Sequence, residues 1–143
     1  MKVPLEGGGS QKVSDLHVVG WYDISPDGTT ATFAVIDHAA GHQERIALVD
    51  TATGATRSMI EFQRPRSTSM IQFSRDGKSL VYVVRESGVD NLWQQPLDGR
   101  SGKMLTAFKT EHIGHYHWSP DGSKLGLIRG HTDSDVVLMR NQQ

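Results

Sequence analysis

Three copies of one short turn divide this chain: Ser25-Pro26-Asp27-Gly28, Ser74-Arg75-Asp76-Gly77 and Ser119-Pro120-Asp121-Gly122. Their serines lie 49 and 45 residues apart. A near-constant period of that length means one structural unit written several times, and it overrides any reading of a single segment. Each copy has its own mechanism. Proline presets φ at the first corner, and Asp-Gly tolerates the second corner and a positive φ. Arg75 replaces proline in the middle copy, so that turn keeps Asp-Gly but is less preorganised.

The flanks repeat as well. GWYDI (20–24), MIQF (70–73) and GHYHW (114–118) precede the turns, and ATFAVI (31–36), SLVYVV (79–84) and KLGLIR (124–129) follow them. A third run comes after a polar loop: RIALVD (45–50), NLWQQPL (91–97) and DVVLMR (135–140). TRSMIEF (56–62) and GKMLTAF (102–108) close the first two units. Alternating apolar and polar residues bounded by turn residues read as strands, joined across Asp-Gly as hairpins. Four antiparallel strands in ~40–50 residues is the size of a β-propeller blade.

The stretches ISPDGTTATFAVID, FSRDGKSLVYVVRESGVDNLWQQPLDG and WSPDGSKLGLIRG resemble the repeats of TolB-like, WD-repeat-like propellers. The ending HTDSDVVLMRN is similar to the last repeat of the sensor propellers at the carboxy terminus of bacterial serine/threonine kinases. The resemblance implies an all-β fold, a non-catalytic role in sensing or binding, and, as in some relatives, attachment to a kinase or peptidase. Related propellers are bacterial and periplasmic or extracellular. The start MKVPLEGGGSQ has no apolar stretch of the kind a signal peptide needs, so the compartment stays unknown.

The expected organisation is one propeller portion over residues 1–143. A closing strand occupies 1–19, blades occupy 20–66 and 67–112, and three strands of a further blade occupy 113–143. Pro4-Leu5-Glu6-Gly7 echoes Pro96-Leu97-Asp98-Gly99, and Gln11 to Ser14 echoes the closing strand at 102–106. GGGS at 7–10 then reads as the turn between them. Propellers have about 4–8 blades, so three leave two flanks open, with Trp21, Phe33, Tyr82, Trp93 and Trp118 as the expected exposed aromatics. Two readings remain. A second copy closes a six-bladed ring by exchanging its amino-terminal strand, or the chain is part of a longer propeller.

Aligned on the turn serine, Asp23, Gln72 and His117 share one position, and His115 lies two residues from His117 on the same face. The position is polar in every copy, whereas its neighbours are apolar. The innermost strand of a blade lines the central channel, so these four residues are the candidate ligand site. Histidine titrates at about pH 6.5 and would make the site pH-responsive. His115 and His117 stand roughly 6.6–6.8 Å apart along a strand and are the candidate metal pair. His112 lies in the preceding connection, and no acidic ligand stands nearby in sequence, so a wet polar channel is favoured over a metal. His17, His38, His42 and His131 read as solvated residues.

Other chemistry finds no support in the sequence. The chain lacks Cys, a G-x-S-x-G elbow, a Walker loop and an EF-hand series. The loop grouping His131, Asp133, Ser134 and Asp135 carries no triad geometry. No cofactor is expected. Fifteen basic and sixteen acidic residues nearly cancel, which removes the electrostatic reason for nucleic acid. No apolar run approaches the roughly 18 residues of a membrane-spanning helix. The expected partners are a second copy and a protein, peptide or small polar ligand.

Overall fold

The Ser-x-Asp-Gly turns explain the local architecture. In the computed structural model, which describes residues 6–10 and 12–131, all three are built alike. Each serine hydroxyl donates to the aspartate two residues on, at 2.6 Å for Ser25, 2.6 Å for Ser74 and 2.5 Å for Ser119. The same oxygen accepts an amide five residues on, from Thr30, Ser79 and Lys124. The aspartate accepts the amides of Thr29, Lys78 and Ser123 at 3.0 Å. Gly28, Gly77 and Gly122 hold φ between 65° and 73°, where a Cβ would be strained. Arg75 changes none of these bonds, because the proline position contributes no donor to the network.

Each turn joins two antiparallel strands. The first sheet runs β1 (Val18–Ile24), β2 (Thr30–Asp37), β3 (Gln43–Asp50) and β4 (Thr56–Glu61) in sequence order. The second runs β5 (Arg66–Phe73), β6 (Ser79–Glu86), β7 (Val89–Pro96) and β8 (Lys103–Met104). A third pairs β9 (His112–Trp118) with β10 (Leu125–Gly130). The described residues contain no helix. The third run at 135–140 and the Asp133–Asp135 loop lie outside the described residues.

Two sequence expectations change. The closing strand at 102–108 shrinks to the two residues of β8. Beyond it, side chains take over part of the ladder: the Leu92 amide donates to Thr106 Oγ1, while Thr106 Oγ1 and the Phe108 amide both donate to Asn91 Oδ1. Residues 12–15 form no strand. Val13 and Leu16 instead pack on the first sheet against Val35, Ala47 and Val49. The Val13 carbonyl presses on Gly54, whose φ of 76° and missing Cβ both permit the approach.

The core lies between sheets. Period-2 alternation gives the second sheet two apolar faces, one toward each neighbour. Ile46, with Leu48 and Ile60 of the first sheet, packs on Ile71, Phe73, Leu80, Tyr82 and Val84 of the second. The opposite face of the second sheet, Met70, Val81, Val83 and Leu92, packs on Ile113 and Tyr116 of the third. Tyr82 and Trp93 lie in the first junction and Trp118 packs against the second. These three were expected on open flanks and are not there. Among the described residues the exposed large apolar side chains are Val18, Trp21, Tyr22 and Ile24 on β1 and Ile128 on β10, and Phe33 is half-buried on the outer face of the first sheet.

Removing one turn hydroxyl tests the first of these devices. Ser74 is buried, so Ser74→Ala leaves the Ser79 amide without its partner and should cost about 1–2 kcal/mol in urea unfolding. The three turn aspartates are held below their ordinary value of 3.8, chiefly by the serine hydroxyl, and Asp121 reaches about 2. A lowered carboxylate adds stability above its unfolded pKa and loses it as pH falls through the folded one. The urea midpoint should therefore hold from neutrality down to about pH 4 and decline from there toward pH 2.

Candidate functional site

β1 lies against β5, and the Gln72 side chain carries the contact on from β5 to β9, which brings the shared polar position together from sheet to sheet. Asp23 Oδ2 accepts the Phe73 amide of the second sheet at 2.7 Å. Gln72 Nε2 donates to the Tyr116 carbonyl of the third at 3.2 Å and lies 3.3 Å from His117 Nδ1. Each of these two side chains reaches forward from its own inner strand to the next. Gln72 and His117 are thus brought together, and Asp23 is tied to the residue beside Gln72. His115 and His117 share a face of β9 and are both exposed.

Polarity at this line is uneven. The amide oxygen of Gln72 is buried without a hydrogen-bond partner in the protein. An orphaned buried acceptor of this kind costs free energy until a donor meets it. Asp23 also acts on the layer beneath. The Tyr116 hydroxyl, buried in the second junction, donates to the Val81 carbonyl at 2.7 Å. Burial pushes its pKa far above the phenol range, and the nearby charge of Asp23 adds to the rise. Among the described residues no three of His, Cys, Asp or Glu form a metal-binding group.

Sequence reasoning missed a carboxylate. Asp90, at the start of β7, is fully buried and links two sheets. Its oxygens accept from Arg85 at 2.6 and 3.0 Å and from the Ile113 amide at 3.0 Å, with His112 Nδ1 at 3.7 Å. Burial pulls its pKa up, but Arg85, the Ile113 amide and His112 more than offset that, so it stays below the ordinary carboxylate range. Ser67 bonds this carboxylate at 3.4 Å. A nucleophilic triad would instead need the serine on the imidazole, so the grouping joins sheets rather than activating a hydroxyl. Glu44 serves the corresponding junction by pairing with Arg66 at the start of β5. The signal in the sequence was an acidic residue just before the third strand of the first two units.

Three histidines read as separate solvated residues also come together. His17 Nδ1 lies 3.1 Å from His38 Nε2, and the His42 ring meets His38 edge-on at 4.6 Å. The His17 and His38 rings are 20° from parallel with centroids 5.4 Å apart. They lie nearly end to end, which suits one shared N–H···N proton and not two ligands bent around an ion.

No family model matches the sequence, and no curated protein matches it. Solved structures do share the fold. A putative TolB from Agrobacterium tumefaciens superposes with a TM-score of 0.71 at 21% identity, over 92% of this chain and 46% of that one. TolB from Acinetobacter baumannii gives 0.63 at 21% identity, over 82% and 28%. The chain therefore spans less than half of either relative. The likeness is one of fold: antiparallel sheets arranged as in the TolB β-propeller.

Breaking the buried carboxylate group separates its role from that of the polar line. Asp90→Ala leaves the buried Ile113 amide without its partner and releases the half-exposed Arg85 to solvent, and should lower stability by about 1–3 kcal/mol. Asp90→Asn keeps an acceptor for Ile113 and should cost less. Chemical denaturation of both variants measures the difference.

Proposed function

We propose that this chain is a non-catalytic binding module of propeller type. Its ligand site is the polar line Asp23, Gln72 and His117, flanked by His115. The observation that carries this reading is the unpartnered amide oxygen of Gln72, buried beside the exposed imidazole of His117 on a row of inner strands. A line of carboxylate, amide and imidazole suits a ligand that offers N–H donors at strand-like spacing. A peptide main chain does so, and that makes a protein or peptide the favoured occupant. Rigid sheets hold the line while the connections around it remain free to vary, an arrangement that favours recognition. The fold alone does not choose a ligand.

The absence of chemistry in the proposal has its own support. The three turn serines are each committed to an aspartate and a backbone amide, and Asp90 is committed to the sheet junction. No G-x-S-x-G elbow or Walker loop occurs in the sequence. Attachment to a kinase or peptidase would make the module a sensor or accessory domain.

Selection from a random peptide library displayed on phage tests the reading. The wild-type protein should enrich sequences that the Gln72→Ala/His117→Ala variant retains at least about tenfold less well, the scale of one lost buried hydrogen bond. Equal retention by a variant with unchanged circular dichroism, or no enrichment at all, would reject it.

A further inference from the structure

Each junction inside the chain has a fixed grammar. The backward side is offered by the first strand of a sheet, at the positions one and three residues before the turn serine. At β5 these are Phe73 and Ile71, 4% and 1% exposed. At β9 they are Trp118, which packs on the second junction, and Tyr116, 1% exposed. At β1 they are Ile24 and Tyr22, 48% and 66% exposed. The forward side is offered by the second strand, nine residues after the turn serine. Ala34 and Val83 are fully buried there, while Ile128 is 68% exposed. Among the described residues the backward side of the first sheet and the forward side of the third are thus left exposed.

The connecting segments agree. Leu105 and Phe108 line the junction of the second and third sheets. Val13 and Leu16, with the same spacing, pack on the backward side of the first sheet. That flank already carries the connecting segment that an occupied junction has.

We infer that the two sides dock on a second copy of this chain, head to tail, so that Tyr22 of each copy takes the place on the other's third sheet that Tyr116 takes on the second. The contact is specific. The Tyr116 hydroxyl donates to the Val81 carbonyl, and the residue equivalent to Val81 in the third sheet is Gly126. The Tyr22 hydroxyl therefore meets the Gly126 carbonyl of the other copy, with Ile128 against the ring. Asp23 and Gln72 reach forward to the Phe73 amide and the Tyr116 carbonyl, and His117 then faces the equivalent groups, the Ile24 amide and Tyr22 carbonyl of the second copy. The contact is heterologous and repeated twice, which closes a ring. Six sheets fall within the range of about 4–8 blades. The docking surfaces are the sheet flanks and require no exchange of the segment around Val13. The inference does not rest on the ligand reading, since a ring with an empty channel would still close.

Light scattering on the purified full chain reads the mass directly. The expected value is twice the 15.8 kDa of one chain. Tyr22→Lys and Ile128→Glu should each give a folded monomer, with strand content by circular dichroism unchanged. Mixing these two variants should restore the dimer, because one junction is then native and the other pairs lysine with glutamate. Tyr22→Phe removes one hydrogen bond from each of the two junctions and should weaken dimerisation by roughly 25-fold, about fivefold for each bond. A wild-type monomer, a different stoichiometry, or a mixture that stays monomeric would each overturn the inference. So would dimers that persist in both charged variants. If a charged variant fails to fold, the wild-type mass and the Tyr22→Phe shift decide alone.

Discussion

A serine hydroxyl held between a carboxylate and a backbone amide organises everything else in this protein. The hydroxyl is donor to one and acceptor from the other, so it fixes both the side chain of Asp and the start of the returning strand. With glycine supplying the positive φ, the turn has one geometry and each hairpin one register. A slip of one residue would turn every apolar side chain on the second strand to the wrong face. That register places Leu80, Tyr82 and Val84 on one junction and Val81 and Val83 on the other. The large apolar faces between sheets supply most of the stabilisation, at about 25 cal/mol per Å² buried, but they meet correctly only because the turns set the alternation.

Polar groups then decide how sheets are joined at their ends. Asp90 and Glu44 reach from the third strand of one sheet to the first strand of the next, and Asp23 and Gln72 reach from first strand to first strand closer to the turn. These contacts use backbone amides, a carbonyl and an arginine on the receiving strand. They align neighbouring inner strands with a directionality that apolar packing lacks. The Tyr82 hydroxyl works similarly. It donates to Gln95 at 2.7 Å and accepts the Arg64 amide, and burial lifts its pKa to about 12, so it stays a donor throughout the ordinary pH range. The junctions are oily in the middle and keyed by hydrogen bonds at the margins.

Function, on the reading proposed above, uses the same margin. The polar line is not a separate site added to a scaffold. It consists of the residues that key one sheet to the next, with the Gln72 acceptor and the His115 and His117 imidazoles left over. A ligand there would contact the joints of the assembly, and occupancy and sheet-to-sheet alignment would be coupled through Gln72, which serves both.

Much of this was legible in one dimension. The strands around the three turns lie within a few residues of where alternation put them, because period 2 and turn chemistry are local properties of neighbouring residues. The equivalence of Asp23, Gln72 and His117 was legible for the same reason, since a repeat aligns with itself. Contacts between units were not. That Tyr82, Trp93 and Trp118 are enclosed while Tyr22 stands open depends on which sheet has a neighbour on which side. The joining role of Asp90 depends on an amide 23 residues away, and the meeting of His17, His38 and His42 on two chain segments folding to one edge. The sequence alone determined the unit, its turn and its two-faced strands, because each rests on bonds within a few residues. Only the tertiary structure decided which faces are buried, which carboxylates join sheets and which acceptor is left without a partner, because each depends on groups brought together from distant parts of the chain.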